Sequence, residues 1–246
     1  KGDTLQFESL SGGELQLEVS SNTTGHRLPV ENNLILKAAR LLRTHAGTPT
    51  LGARISVDKR IPMGGGLGGG SSNAATTLIA LNRYWQLNLS QTELKALGLQ
   101  LGADIPLFID GRSAWGEGVG EKLQAVTLPP RWFLVATPAC AVSTAEIFNH
   151  ENLTRNSPAI KMPDFLAGVA RNDCEPITCD LYPEVEQALT WLTQFGRARM
   201  TGTGASVFAD FTAETKANAA LSQLPARWQG FVARGLNSLE PGRYPT

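Results

Sequence analysis

A run of glycines followed by serines is the part of this sequence best suited to bind a charged ligand. Six of the seven positions 64–70 are glycine, and Ser71 and Ser72 follow directly. Glycine has no Cβ and accepts positive φ angles, so backbone N–H groups can converge on an anion. A helix starting here would add the positive end of its dipole, and the two hydroxyls suit a phosphate oxygen or a phosphate-bound Mg²⁺. These residues predict a phosphate-binding loop.

The residues on either side of the glycines predict a strand before the loop and a helix after it. Residues 53–59 alternate apolar and polar side chains, which is typical of a half-buried strand. Ala74, Leu78 and Leu81 recur at helical spacing downstream. A flexible linker is the alternative, but linkers mix glycine with serine over long stretches and do not lead into an amphipathic helix.

Two common nucleotide-binding motifs fit this loop poorly. The P-loop of NTPases needs a lysine directly after its last glycine, and Ser71 holds that place here. Residues 64–69 satisfy the G-x-G-x-x-G pattern of dinucleotide-binding folds. That pattern also requires an acidic residue about 20 positions further on, at the end of a second strand. Residues 87–90 contain none, and Glu93 falls inside a predicted helix, so an NAD-dependent oxidoreductase is disfavoured.

The string PMGGGLGGGSSNAA, which follows a strand end containing lysine, resembles the second motif of the GHMP kinases nearly letter for letter. Within that family it is most similar to the 4-diphosphocytidyl-2-C-methyl-D-erythritol kinases of the non-mevalonate isoprenoid pathway. The resemblance covers essentially the whole chain in the family's order. It continues through the segments at residues 33–35, 102–106, 116–121, 172–175 and 201–208.

The resemblance implies an α+β protein with the two-domain GHMP kinase fold. Residues 1–120 would form the ATP-binding domain, an α/β half like domain 2 of ribosomal protein S5. Residues 121–246 would form a ferredoxin-like substrate domain, with the active site between the two. The implied reaction is ATP- and Mg²⁺-dependent phosphorylation of the 2-hydroxyl of 4-diphosphocytidyl-2-C-methyl-D-erythritol. The alternatives are another GHMP small-molecule kinase of the homoserine, mevalonate or galactose type, and a nucleotide-binding fragment without catalysis.

One departure from the family concerns the amino end. The family opens with a strand carrying P-A-K-(I/L)-N-L and then a G-Y-H-x-L segment, and neither string occurs in the 246 residues. We therefore expect the amino-terminal segment to be missing from this sequence. The resemblance implies that a lysine of that segment keeps the catalytic aspartate ionised, so a chain without it would be poorly active.

Asp104 is the catalytic candidate outside the loop, in the sequence GADIP. From spacing alone it is better explained as a helix N-cap, because Asp precedes Ile and Pro, and Pro favours the first helical turn. The resemblance implies a different role, since the family's aspartate in this motif abstracts the proton of the substrate hydroxyl. A carboxylate base that orients the nucleophile is also what phosphoryl transfer requires.

The resemblance places the nucleotide on the loop and on two flanking positions. Asn33 resembles the family's adenine-side asparagine, although a helix N-cap would explain it equally. Lys59 could reach the nucleotide, and a solvated lysine at a strand end is its alternative. The implied nucleotide-binding residues are Asn33, Lys59, Pro62, Met63, Gly64, Gly65, Gly66, Leu67, Gly68, Gly69, Gly70, Ser71, Ser72 and Asn73.

Residues of the second half would bind the acceptor. By resemblance, Phe148 stacks on the cytosine ring of a cytidyl-diphosphate substrate, and Thr144 lies beside it. An isolated phenylalanine is more commonly part of a core, so that alternative stays open. The turn 201–204 resembles a third family motif that packs on the phosphate loop, and a plain tight turn is its alternative.

Composition limits the possible partners. The chain has 22 basic and 22 acidic residues, so no broad charged surface points to nucleic acid or to an anionic membrane. It has no apolar run of the length of a membrane helix. Cys140, Cys174 and Cys179 lack metal-ligand spacing, which predicts reduced thiols and no protein-bound metal. We expect a cytoplasmic protein, or a plastid one if it comes from a plant, that is a monomer or weak dimer.

Further elements follow from local patterns. Residues 33–43 and 182–195 have the apolar spacing of amphipathic helices, and residues 132–136 form a short apolar strand. Ser90 and Glu93 match a capping box that opens another helix. Glycines 116, 118 and 120 and the pair Pro129-Pro130 interrupt the chain, and the domain change is expected in this interval.

Overall fold

The computed structural model describes residues 2–21, 32–166 and 168–239. These residues form two compact units. The first contains the described residues of 2–61, 68–128 and 236–239, and the second contains those of 62–67 and 129–235. The chain enters the second unit at residue 62 and returns to the first unit at residue 68, within the glycine run. Residues 62–67 therefore belong to the second unit and residues 68–128 to the first.

The first unit is built on a three-stranded sheet of β1 (Thr4–Leu10), β2 (Leu15–Ser21) and β3 (Gly52–Lys59). β3 lies in the centre, antiparallel to β1 and parallel to β2, and Ile55 pairs with Phe7 on one side and Leu17 on the other. Because β3 is the central strand and ends at Lys59, the glycine loop follows from the middle of the sheet.

Four helices complete this unit: the first two contact the strands of the sheet, and the other two pack on the first two. They are α1 (Leu34–Ala46), α2 (Gly69–Tyr84), α3 (Gln91–Leu101) and α4 (Ile105–Asp110). Ile55 of β3 and Leu42, Leu78 and Leu81 of the helices are fully buried in one cluster. The unit also contains a hairpin of β4 (Ala114–Glu117) and β5 (Lys122–Ala125).

The second unit is a four-stranded antiparallel sheet with helices. Its elements are β6 (Trp132–Thr137), α5 (Thr144–Asn149), α6 (Met162–Leu166), α7 (Glu175–Leu181), α8 (Pro183–Thr193), β7 (Ala198–Met200), β8 (Val207–Phe211), α9 (Glu214–Leu221) and β9 (Gln229–Arg234). The strand order is β7-β8-β6-β9, and α8 and α9 pack on the sheet. The succession β6-α8-β7-β8-α9-β9 in this order is the ferredoxin-like arrangement that was expected.

The elements predicted from local patterns are confirmed. The helices predicted at residues 33–43 and 182–195 appear as α1 and α8, and the strands predicted at 53–59 and 132–136 as β3 and β6. Ser90 and Glu93 form both hydrogen bonds of the capping box at the start of α3. None of the helices within the described ranges has both the length and the hydropathy needed to cross a bilayer.

Candidate active site

Helix α2 begins on the glycine run, as predicted. Gly68 precedes it in the left-handed conformation with φ of 66°, and the N–H of Ser72 donates to the Gly68 carbonyl over 2.8 Å. No side chain of the described residues caps this helix. The N–H groups of residues 69–71 therefore have no acceptor within the helix. Since Gly70 is exposed and Ser71 is half-buried, this helix end is open to an anion.

Gly68 is held in place by the ring of Phe108, which lies on α4. A methyl group on Gly68 would lie 2.7 Å from Cζ of Phe108, closer than carbon atoms can approach. The positive φ is unfavourable for any other residue at position 68, and a side chain there would also displace the Phe108 ring. The start of α2 and helix α4 are therefore packed in direct contact.

Asp104 stands at the N-cap position of α4 but does not cap it. Its backbone is helical, with φ of −81° and ψ of −17°, and its side chain makes no capping hydrogen bond. A capping residue would be extended and its side-chain oxygen would accept a backbone N–H. The interpretation of Asp104 as a cap is therefore wrong for this structure. The residue is exposed, while the adjacent Ile105 is fully buried and fixes the helix start.

Asn33 is a helix cap, which confirms the alternative suggested by its sequence position. Its side-chain oxygen accepts the N–H of Ile35 over 2.9 Å at the start of α1. The next residue, Leu34, lies 3.5 Å from the Cβ position of Gly70. Asn33 therefore directly precedes the residue by which α1 contacts the start of α2. Its role toward adenine stays a prediction.

Lys59 is buried rather than solvated, so the interpretation as a surface lysine is wrong. Its side chain is 6% exposed and forms an ion pair with Asp3, whose side chain is 1% exposed. The same carboxylate accepts a hydrogen bond from the side-chain amide of Asn73 over 2.9 Å. Sequence patterns do not indicate Asp3, because Lys59 and Asn73 lie 56 and 70 positions away from it along the chain.

The free energy of unfolding of this unit should fall in acid because Asp3 becomes protonated. Burial by itself raises the pKa of its carboxyl, but hydrogen bonds from Ile61, Lys59, Arg60 and Asn73 outweigh that effect and lower the pKa below its ordinary value. A lowered pKa adds stability above pH ~4, and that stability is lost as the pH falls through the folded-state pKa. We expect Asp3→Asn to flatten the loss of stability below pH ~4, measured by urea unfolding between about pH 3 and pH 7. An unchanged slope would contradict this assignment.

Residues 62–67, the first part of the loop, pack on the turn 201–206 of the second unit. The carbonyl of Gly65 accepts the N–H of Ser206 over 3.1 Å, and the carbonyl of Gly66 accepts the hydroxyl of Thr201 over 2.8 Å. A Cβ on Gly66 would overlap the Thr201 carbonyl oxygen. The turn therefore packs on the glycine loop, as the resemblance implies.

Helix α7 and the residues before it hold that turn. The side-chain amide of Asn172 donates to the Gly202 carbonyl over 2.7 Å. The hydroxyl of Thr178, fully buried, donates to the Thr203 carbonyl over 3.1 Å. The sequence marks Asn172 only as part of a segment that resembles the family, and this contact supplies a physical reason for an asparagine at that position.

Helix α5 carries both residues expected to bind the acceptor. Ser143 caps the helix by accepting the N–H of Glu146, and fully buried Ile147 anchors it. The hydroxyl of Thr144 lies 3.1 Å from that of Thr203. Phe148 is 55% exposed, so the alternative that it belongs to the core is wrong. Its ring is available for stacking.

The three cysteines are free thiols and half-buried. Burial is the main reason why the pKa of each thiol is raised, and the pKa of Cys179 reaches about 11. A raised pKa disfavours the thiolate, which is the reactive form of cysteine. The three cysteines are packing residues, as expected.

Family comparisons match both halves of the chain. The family described as "GHMP kinases N terminal domain" matches residues 33–112. The family described as "GHMP kinases C terminal" matches residues 160–230. The first match contains the glycine run and Asp104, and the second contains the turn at 201–206.

Relatives with known names are similar over nearly the whole chain. A 4-diphosphocytidyl-2-C-methyl-D-erythritol kinase of Alkalilimnicola ehrlichii is 53% identical over 236 residues, covering 96% of this chain and 79% of the relative. A crystal structure of a 4-(cytidine 5'-diphospho)-2C-methyl-D-erythritol kinase is 30% identical with a TM-score of 0.77, covering 94% of this chain and 85% of that one. A homoserine kinase from Cytophaga hutchinsonii is 17% identical with a TM-score of 0.67, over 97% and 87% of the two chains, which shows a shared fold.

Proposed function

Because this chain belongs to the GHMP kinase family, among its 4-diphosphocytidyl-2-C-methyl-D-erythritol kinases, we propose that it transfers the terminal phosphoryl group of ATP to the 2-hydroxyl of 4-diphosphocytidyl-2-C-methyl-D-erythritol. One observation carries the assignment of roles. The uncapped start of α2 contacts α4 through Gly68 and Phe108, and α4 directly follows the exposed Asp104. The helix start proposed to bind phosphate and the carboxylate proposed as the base are thus both adjacent to helix α4.

We propose that the loop holds the ATP phosphates mainly through its backbone. The N–H groups of residues 69–71 are unpaired within the helix, and an anion there gains both hydrogen bonds and the helix dipole. We propose that Asn33, Lys59 and residues 62–73, which the resemblance assigns to the nucleotide, each contact ATP.

Mg²⁺ fits this site as an ion held largely by the substrate. No group of three or more His, Cys, Asp or Glu side chains suited to a metal occurs in the described ranges. Mg²⁺ usually keeps several waters and binds through substrate phosphates and a few protein oxygens, which the hydroxyls of Ser71 and Ser72 would supply. When bound, it would neutralise the charge that develops on the phosphate oxygens.

Asp104 is proposed as the base that orients and deprotonates the acceptor hydroxyl. The carboxylate is exposed and makes no capping bond, so it is free to accept a hydrogen bond from a substrate. Phosphoryl transfer relies on positioning and charge neutralisation, with the base directing the nucleophile toward the phosphorus. The burial of Ile105 and the contact of Phe108 with Gly68 give this carboxylate a fixed support.

Phe148 and Thr144 are proposed to recognise the cytidyl group of the acceptor. An aromatic side chain that is 55% exposed on an anchored helix is a suitable stacking platform for a base. The Thr144 hydroxyl, 3.1 Å from that of Thr203, is within the same helix and links it to the turn 201–206. Both assignments rest on the resemblance together with this geometry.

Phe148→Ala should weaken acceptor binding and leave ATP binding unchanged. Loss of a base–aromatic stack costs about 1–3 kcal/mol, which corresponds to a rise of roughly 5- to 150-fold in the KM of the cytidyl substrate. Steady-state kinetics with each substrate varied in turn would measure this. Leu166→Ala is a matched control, because Leu166 is 57% exposed in the same unit but is not assigned to the site. Equal losses for both substrates, or for both variants, would contradict the assignment.

The substrate itself is tested by comparing alcohols in one assay. We expect ADP release to depend on 4-diphosphocytidyl-2-C-methyl-D-erythritol, with a kcat/KM far above those for homoserine, mevalonate and galactose. CDP should compete with the acceptor and not with ATP. A higher kcat/KM for one of the other alcohols would assign the chain to another branch of the GHMP kinases. Tight binding of Mg·ATP without transfer to any alcohol would favour a nucleotide-binding role.

We further propose that the protein works in the cytoplasm as a monomer or weak dimer. Its free thiols are compatible with a reducing compartment. The family domains, expected to divide at residue 120, are proposed to bind ATP in the first part of the chain (1–120) and the acceptor in the second (121–246). In the structure the chain changes units after residue 128, and residues 236–239 return to the first unit. Sedimentation at several protein concentrations would test the oligomeric state.

A further inference from the structure

One buried carboxylate accepts hydrogen bonds from four donors around the glycine loop. Asp3 accepts the backbone N–H groups of Arg60 over 2.7 Å and Ile61 over 2.8 Å. It also accepts the Asn73 amide over 2.9 Å and is ion-paired with the Lys59 ammonium. Its side chain is 1% exposed, so these protein groups take the place of water around the charge.

The four donors lie on both sides of the glycine run. Lys59 ends β3, and Arg60 and Ile61 are the residues by which the chain enters the loop. Asn73 lies in the first turns of α2, by which the chain leaves the loop. A single carboxylate thus joins the entry of the loop to its exit.

The cluster also contacts the glycines directly. The Cβ position of Gly69 lies 3.4 Å from Nζ of Lys59 and 3.0 Å from Cγ2 of Ile61. Lys59 and Ile61 are both held by Asp3, so the carboxylate determines how closely they approach the start of α2. Removing the carboxylate would leave the Lys59 ammonium buried without its counter-charge, which is strongly unfavourable.

We propose that Asp3 is a positioning residue for nucleotide binding, which sets the spacing between the two ends of the phosphate loop and so the direction of the N–H groups of residues 69–71. This inference rests on the proposed function of the loop as the ATP phosphate site. Lys59 and Asn73 then act on ATP by holding the start of α2 through Asp3. The side chains assigned to the nucleotide by resemblance are joined by a residue that the resemblance did not single out.

Asp3→Asn tests the proposal in the full-length protein. Asparagine keeps the shape and one acceptor oxygen but loses the charge and the second acceptor. We expect the Kd of Mg·ADP, measured by calorimetry, and the KM of ATP to rise about tenfold or more, since small misplacements of binding groups are costly. The KM of the cytidyl substrate should change less than about twofold.

Asp110→Asn is the matched control. Asp110 is also a partly buried carboxylate of the first unit that pairs with a lysine, Lys95, over 3.1 Å, but it holds no part of the loop. This variant should lose some stability without changing the Kd of Mg·ADP. If both variants weaken Mg·ADP binding equally, or if folded Asp3→Asn binds it like the wild type, Asp3 has only a structural role.

A second variant covers the case in which Asp3→Asn fails to fold. Asp3→Asn combined with Lys59→Met removes both charges, so no buried ammonium is left unpaired. We expect this double variant to fold and still to bind Mg·ADP about tenfold or more weakly, with faster hydrogen exchange at the Arg60 and Ile61 amides. Wild-type affinity in the double variant would overturn the proposal. Because calorimetry needs no turnover, an inactive wild type would count against the proposed reaction and leave this test intact.

Discussion

Asp104→Asn should lower kcat by at least about 10²-fold, the usual contribution of a positioned general base, while the affinity for ATP stays close to that of the wild type. Asparagine matches the shape of aspartate but cannot accept the proton of the acceptor hydroxyl. Asp104 makes no capping bond in this structure, so its replacement should also leave the melting temperature nearly unchanged. Single-turnover kinetics and Mg·ATP calorimetry on the same preparation would measure both quantities.

Asp110→Asn serves as the control for this experiment as well. Asp110 ends the same helix α4 that Asp104 precedes, and its carboxylate is engaged by Lys95. We expect its kcat to remain within about twofold of the wild type. If Asp104→Asn retained near-normal kcat, or if it lost activity only by unfolding, the role as a base would be wrong.

Gly68→Ala should raise the Kd of Mg·ATP by about 10²-fold, as expected for a shift of about 1 Å in a binding site. The new methyl group would lie 2.7 Å from the Phe108 ring, and the positive φ of 66° is unfavourable for alanine. The start of α2 or the ring must therefore move. Because φ is strained as well, we expect the backbone at the start of α2 to move and to displace the N–H groups of residues 69–71. Calorimetry with Mg·ATP and with Mg·ADP would measure the loss.

Gly47→Ala separates backbone strain from displacement of the loop. Gly47 has a φ of 63° at the end of α1, but no atom lies within 4 Å of its Cβ position. This variant should cost about 1–2 kcal/mol of stability with no effect on Mg·ATP binding. Reducing the clash with Phe108→Leu should restore part of the affinity to Gly68→Ala. Equal effects of Gly47→Ala and Gly68→Ala on Mg·ATP would contradict the account.

The sequence was sufficient to predict the elements whose cause is local. Helix α2 could be predicted because its apolar residues recur at helical spacing and glycines precede it, and α3 because Ser90 and Glu93 form a capping box. The second unit's ferredoxin-like sheet came from the resemblance, since the pairing of β6 with β8 and β9 joins strands far apart in sequence. Propensity and periodicity do not determine such pairings.

The interactions around the candidate site could not be predicted in the same way. The burial of Lys59 depends on Asp3, which reaches it only because β1 pairs with β3. Asp104 has the sequence context of a cap, yet its own backbone is helical and leaves its carboxylate exposed. A tertiary contact decides the burial of Lys59, and a backbone angle decides the exposure of Asp104. Neither can be inferred from a few neighbouring residues in the sequence.

Analysis of the reaction product by ³¹P NMR tests the central claim most directly. The full-length protein would be incubated with ATP, Mg²⁺ and 4-diphosphocytidyl-2-C-methyl-D-erythritol, and the spectrum followed over time. We expect one new phosphomonoester signal that grows in step with ADP and shows no three-bond coupling to a proton, because carbon 2 of the erythritol carries no hydrogen, with the diphosphate bridge unchanged. Release of inorganic phosphate instead of an ester, or phosphorylation of another hydroxyl, would contradict the account.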